Sequence, residues 1–268
     1  MARVAVTSVQ GKRILVTGAA RGVGEEIARQ LVAGGARVAL VDVLDDQGRA
    51  VAASLGEAAT YVHLDVASEA DWIAALPRIT DHLSGLDGLV NNAAILHMGT
   101  LEEIPLDDAH RILDVNLFGV FLGIRLCAPL LRDAGGGSIV NIGSIDGMHG
   151  MNSIAVYSAS KWGVRGLTRS AAIELGRFAI RVNTINPSLG SPEMFAPFSP
   201  RLDWERYQRT APPPKLYRDG APYDVTTSDT AKMTLFLLSD DSGGCTGADY
   251  AVDSGFTAGL YCDGLPGF

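Results

Sequence analysis

Cysteine is scarce in this chain. Cys127, Cys245 and Cys262 are spread over 268 positions, too far apart and odd in number for a disulfide framework or a zinc site. They suit a reducing compartment, and the cytoplasm is the expected location. Basic charge is also short: 22 Lys and Arg stand against 30 Asp and Glu, for a net charge of −8. An acidic surface repels phosphate backbones, so no nucleic-acid partner is expected. Repeats, charge blocks and linkers that would separate two domains are missing. The opening MARVAVTSVQGKR lacks the long apolar run of a signal peptide. The most membrane-like segment, VNLFGVFLGIRLCAPLL (115–131), contains Asn116, Arg125 and Pro129 and is short for a span. It reads as a helix buried in the core or at a subunit contact, with no membrane partner. The five histidines show no ligand spacing, so no metal site is expected.

What is present is alternation. Short β-type runs (RILVTG, RVALVDV, ATYVHLDV, LDGLVNNAA, GGGSIVNIGS, IRVNTINP) alternate with helical stretches near 23–35, 45–55, 69–83, 106–134 and 154–177. A helix near 227–239 and a strand in ADYAVDSG (248–255) close the pattern. Apolar strands alternating with helices predict a single α/β domain over 1–268, a doubly wound parallel sheet covered on both faces. Residues 188–225 show no clear period and are too long for an ordinary connection. Their aromatic content predicts a lid or pocket wall.

TGAARGVG (17–24) follows the first strand and opens the first helix. Gly18 permits a tight turn, while Gly22 and Gly24 allow close backbone approach to a phosphate, which the helix N-terminus would hold. Asp42 lies 24 residues after Gly18, at the end of the second strand. A carboxylate there binds both hydroxyls of an adenosine ribose and repels a 2′-phosphate, which favours NAD over NADP. Arg21 in the turn pulls weakly the other way. Asp65, after the third strand, is a candidate for the adenine amino group, with a turn role equally open.

VYSASKWGVRG (156–166) places Tyr157 and Lys161 four residues apart, on one face of a helix. A cation near a phenol favours the phenolate, so the pair is read as a proton-transfer device.

Together, TGAARGVG, LDV (64–66), NNAA (91–94), Asn116, Ser144, YSASK (157–161) and NP (186–187) resemble the short-chain dehydrogenase/reductase family over nearly the whole chain. GGGSIVNI, YSASKWGVRGL and the tail after VDSG look most like its bacterial NAD-dependent hydroxysteroid and cyclic-alcohol dehydrogenases. The resemblance implies a Rossmann fold with a seven-stranded sheet and commonly a homotetramer; the apolar helices at 106–134 and 154–177 suit a two-fold interface, so a homotetramer or homodimer is expected. It also implies a catalytic set of Asn116, Ser144, Tyr157 and Lys161. Tyr157 exchanges the hydroxyl proton and Ser144 hydrogen-bonds the substrate oxygen. Lys161 lowers the Tyr157 pKa and holds the nicotinamide ribose, and Asn116 holds a water linking Lys161 to solvent. Val23, Val66, Asn92, Ala93, Pro187, Leu189 and Ser191 join the glycine turn, Arg21, Asp42, Asp65, Tyr157 and Lys161 as the dinucleotide set. The chain departs from the family in NNAA, NPSLGSP, VDSG and 198–225.

The segments after the strand ends offer Ile95, Leu96, Ile145, Met151, Met194, Phe195 and Trp204 as an apolar substrate pocket. A hydrophobic secondary alcohol or its ketone is the expected small-molecule partner: a steroid, a terpenol, or an aryl or cycloalkyl carbinol. The alternatives are an NADPH-dependent ketoacyl-type reductase and a dinucleotide-sensing protein without catalysis.

Overall fold

Buried apolar runs set the sheet. In the computed structural model, which describes residues 8–203, 205–206 and 216–259, the strands are β1 (Arg13–Thr17), β2 (Arg37–Asp42), β3 (Ala59–His63), β4 (Gly88–Asn91), β5 (Gly137–Ile142) and β6 (Ile180–Pro187). A two-stranded hairpin, β7 (Tyr217–Arg218) with β8 (Ala221–Pro222), stands apart from the sheet. The strand β9 (Asp249–Val252) returns to it. The seven-stranded order is β3-β2-β1-β4-β5-β6-β9, parallel throughout.

Side chains alternate across this sheet with period two. Ile14, Val16, Val38 and Leu40 point into one layer, with Ile27 and Leu31 of helix α1 (Gly22–Ala33) and Leu237 of a C-terminal helix. Val51 of α2 (Asp45–Leu55) joins that layer. Leu15, Ala39 and Val41 point into the other, against Trp72 and Ile79 of α3 (Glu69–Leu83). The same layer continues through α4 (Leu106–Leu113), α5 (Gly119–Asp133) and α6 (Ala155–Leu175), and helices therefore cover both faces. A four-residue α7 (Pro192–Phe195) and α8 (Thr227–Leu238) complete the set.

Chain order reverses between β1 and β4, where both crossovers leave the sheet in opposite directions. That switch point opens a crevice at the carboxyl ends of the strands. The stretch 106–133 is continuous helix except for a wide i→i+5 turn over Asp114–Phe118. It is long and apolar enough to cross a membrane, yet half of its apolar window is buried in the fold.

Some boundaries fall inside the predicted runs. β3 ends at His63, so Leu64, Asp65 and Val66 lie in the loop beyond it. β9 covers only four residues of ADYAVDSG. Within 188–225, the described residues form α7, a 3₁₀ turn and the β7–β8 hairpin. Trp204 lies outside the described residues.

At the far end of the sheet, Arg13 meets Asp87 through three donors: its main-chain N at 2.9 Å, Nε at 2.8 Å and a terminal guanidinium nitrogen at 2.6 Å. Burial pushes the Asp87 carboxyl up, but the hydrogen bonds from Arg13 outweigh it and leave it below its ordinary value. A carboxylate depressed in the folded state stabilises the fold above its unfolded pKa, and the contribution disappears as pH falls through the folded pKa. Asp87→Asn is therefore expected to cost about 2 kcal/mol at neutral pH. In denaturant titrations, the gap to wild type should close under strongly acidic conditions.

Candidate active site

The glycine turn sits at the β1–α1 corner. Gly18 and Gly22 have φ of 63° and 61°, in the left-handed region. A Cβ on Gly22 would lie 2.5 Å from Ser191 Cβ, so the segment after β6 packs directly on the turn. A Cβ on Gly24 would overlap the Gly18 carbonyl, so α1 comes this close only without a side chain. The Asn92 amide clamps the turn from β4, donating to the Thr17 and Gly18 carbonyls at 3.0 Å each.

Asp42 is fixed by the main chain. Its carboxylate accepts from Ala20 N–H at 3.0 Å and Leu44 N–H at 3.1 Å, and it lines the crevice. Asp65 accepts from Ala67 N–H at 3.0 Å while lining the same crevice, so its turn role and its cleft position coexist. The fully buried Trp72 donates to the Val66 carbonyl at 3.0 Å and anchors that loop.

One cavity of about 360 Å³ runs from Gly18, Arg21, Val23, Asp42, Asp65 and Val66 to Ser144, Tyr157 and Lys161. Asn92, Ala93, Pro187, Leu189 and Ser191 also border it, as do Ile95, Leu96, Met151, Met194 and Phe195. Gly22, Gly24 and Asn116 do not border it; Gly22 packs against Ser191, Gly24 against Asn92, and Asn116 bonds the Ile95 main chain. Ile145, expected in the substrate pocket, does not border it; the side chain is 8 % exposed. Sequence reasoning missed Arg111, Ile154 and Glu193, which do line it. Arg111 sits in an unremarkable helix and Glu193 in a stretch without a period, so neither carried a signal.

α6 brings Tyr157 and Lys161 together on its buried face, as the i,i+4 spacing requires. Tyr157 is 8 % exposed and Lys161 2 %. Lys161 Nζ donates to the Ile142 carbonyl at 2.8 Å and lies 5.6 Å from the Tyr157 ring centre. Burial lowers the lysine to about 8, opposed by the charge of Asp146. Burial raises the Tyr157 phenol, and Asp146 adds to the rise; a hydrogen bond with Ser144 takes part of it back. Thus the protein's own groups hold the phenol protonated. The Lys161 ammonium, expected to lower the phenol together with an oxidised nicotinamide ring, is itself desolvated and donates to the Ile142 carbonyl.

Asn116 is fully buried. Its amide is spent on protein groups: Oδ1 accepts from Ile95 N–H at 2.8 Å, and Nδ2 donates to Ile95 O at 2.9 Å and Ser160 Oγ at 3.2 Å. The side chain pins the loop after β4, so a water relay through Asn116 would have to use its main-chain carbonyl in the wide turn.

Behind the site, Asn91 donates to Asn141 at 2.8 Å and Asn141 to Thr168 at 2.8 Å. Thr184 donates to Thr168 at 2.8 Å, closing a buried polar ladder from β4 to β6. These bonds fix the strand ends that carry the site.

The cleft fits a nicotinamide dinucleotide: a side-chain-free turn at a helix N-terminus, a main-chain-oriented carboxylate beyond it, and the Tyr–Lys pair at the far end. Comparisons with known proteins agree. Residues 18–257 match the family model described as enoyl-(acyl carrier protein) reductase. A 3-alpha-(or 20-beta)-hydroxysteroid dehydrogenase of Mycobacterium tuberculosis is 46% identical over 252 residues, 93% of this chain and 91% of that one. The trans-4-hydroxycyclohexanecarboxylate dehydrogenase of Sinomonas cyclohexanicum is 38% identical, covering 94% of this chain and 95% of that one. A crystal structure from Sinorhizobium meliloti 1021, assigned to the short-chain alcohol dehydrogenases, superposes with a TM-score of 0.85 at 30% identity, covering 96% of this chain and 100% of that one. A switch-point crevice, a glycine turn and a buried Tyr–Lys helix, matched along the full fold by these relatives, place the chain in the short-chain dehydrogenase/reductase family, as an oxidoreductase acting on CH–OH groups.

Proposed function

We propose that the protein is an NAD-dependent dehydrogenase of a hydrophobic ring-borne secondary alcohol. The observation that carries this is the single cavity joining Asp42 and the glycine turn to Ser144, Tyr157 and Lys161 beneath an apolar wall. Ile95, Leu96, Met151, Ile154, Met194 and Phe195 supply that wall and match a hydrophobic ring with one polar handle. The relatives' names, hydroxysteroid, hydroxycyclohexanecarboxylate and cyclopentanol dehydrogenase, all denote ring alcohols.

A bound nicotinamide dinucleotide supplies the ring that takes or gives the hydride, and in its oxidised form a positive charge. Gly18, Gly22 and Asn92 shape the phosphate end, and Asp42 takes the ribose hydroxyls. Tyr157 accepts the substrate's hydroxyl proton in oxidation and returns it in reduction. Ser144 hydrogen-bonds the substrate oxygen and orients it. Lys161 keeps a cation near the phenol and reaches the nicotinamide ribose. Support for NAD over NADP comes from Asp42, while Arg21 in the glycine turn pulls weakly the other way. The buried Cys127 thiol, pushed up to about 12 by desolvation, is unreactive and fits a cytoplasmic protein.

Leu113, Leu117, Phe118, Phe121 and Leu167 form an outer apolar groove, with Phe118 48% exposed. Its place on the α4–α6 face supports assembly as a homodimer or homotetramer. Phe118→Asp is expected to give a smaller species in light scattering; an unchanged mass would remove this face from the assembly.

The function itself is tested by NAD⁺ reduction with steroid, monoterpene, cycloalkyl and aryl alcohols. Dinucleotide binding without turnover on any of them would favour a sensing role, and thioester turnover with NADPH would favour a ketoacyl-type reductase.

A further inference from the structure

Ser144 does not stand alone. Its hydroxyl donates to Asp146 Oδ2 at 3.1 Å and accepts from Asp146 N–H at 3.1 Å. Asp146 lines the same cavity as Tyr157. Its second oxygen takes no hydrogen bond from any described residue. We propose that Asp146 is a positioning residue of the proton-transfer site, one that holds the Ser144 hydroxyl and opposes negative charge on Tyr157 by Coulomb repulsion. The proposal rests on the role given to Tyr157 above.

A serine hydroxyl carries one proton. While that proton points at Asp146, it is not available to a substrate oxygen, so Asp146 competes with the substrate for Ser144. A half-buried carboxylate also acts on its neighbours with less screening than in open water. The Asp146 charge favours the protonated form of both Tyr157 and Lys161. Burial raises Asp146 itself, while the Ser144 hydrogen bond, His149 and Lys161 lower it in part.

The titratable and charged groups around Asp146 come from several elements. Tyr157 and Lys161 face it from α6, and His149 from its own loop. Arg165 of α6 lies against the same loop, donating to the Gly147 carbonyl at 2.6 Å, and pairs with Asp249. Across the cavity stand Arg111 and the lid's Glu193, while His97 is paired with Asp108 at 3.0 Å. Of these, Tyr157 is the group whose proton the reaction moves, so the effect of Asp146 should be read in a pH profile.

During oxidation, Tyr157 must be free to accept a proton, so rate rises with pH through its apparent pKa. In reduction it must carry the proton, so rate falls through the same value. Removing the Asp146 charge lowers that value and moves both profiles the same way. The experiment is kcat/KM against pH in both directions for wild type, Asp146→Asn and Asp146→Glu, on a cyclohexanol–cyclohexanone or steroid alcohol–ketone pair. Asp146→Asn is expected to shift both midpoints down by about one pH unit, and Asp146→Glu to return them to near wild type. A role limited to packing would scale rates without moving the midpoints, and superimposable midpoints for Asp146→Asn would overturn the proposal. Tyr157→Phe in the same series separates the two readings. If that variant keeps its activity, the role of Tyr157 fails. If it is inactive while Asp146→Asn leaves the midpoints in place, only the role of Asp146 fails.

Discussion

Tyr157→Phe is expected to lower kcat/KM for alcohol oxidation about a thousandfold or more, the usual worth of a positioned acid–base group. The ring remains, so the packing of a residue only 8 % exposed is preserved. What disappears is the hydroxyl that exchanges a proton with the substrate. Thermal stability and dinucleotide affinity should stay near wild type, measured by melting and by fluorescence titration of the reduced cofactor. Activity above a tenth of wild type, with both controls intact, would assign proton transfer to another group. The buried environment makes this a strict test, because nearby groups raise the phenol and no second hydroxyl of comparable chemistry is ranged along α6. Ser144 lies within reach but is tied to Asp146 at 3.1 Å.

Asp42→Asn should change cofactor choice. The amide keeps the shape of the carboxylate and one acceptor for the main-chain donors at Ala20 and Leu44. It loses the charge that binds two ribose hydroxyls and repels a 2′-phosphate. Charge-assisted hydrogen bonds are about twice as strong as neutral ones, so the ratio of kcat/KM for NAD⁺ over NADP⁺ is expected to fall about a hundredfold. Steady-state kinetics with each cofactor at a fixed alcohol concentration read this directly. A wild-type preference for NADP⁺, or a ratio untouched by the substitution, would give the deciding role to Arg21.

Much of this was legible in the sequence, for identifiable reasons. Buried parallel strands are covered on both faces, so RVALVD and RILVT read as continuous apolar runs, and the doubly wound parallel sheet followed from their alternation with helices. Tyr157 and Lys161 were legible because helical spacing is a rigid ruler. The glycines were legible because the turn excludes side chains by geometry, as at Gly22 against Ser191.

The hidden parts depend on contacts distant in sequence. Ile145 follows Ser144 directly, and only the fold shows that it is buried and does not border the cavity. The commitment of the Asn116 amide to Ile95, 21 residues earlier, leaves no trace in spacing. Burial sets the protonation of Tyr157 and Lys161, and local sequence reports the pairing but not the desolvation. Asp146 stands only two residues from Ser144, but the meaning of their bond comes from the buried phenol beside it.

The central claim is that these residues move a hydride and a proton between a ring carbinol and a nicotinamide dinucleotide. The most direct test follows a cyclic secondary alcohol deuterated at the carbinol carbon, incubated with the protein and NAD⁺. The account predicts ketone formation, deuterium in the reduced nicotinamide and a primary isotope effect, all abolished by Tyr157→Phe. Dinucleotide binding with no ketone and no deuterium transfer, across steroid, monoterpene, cycloalkyl and aryl alcohols, would contradict it.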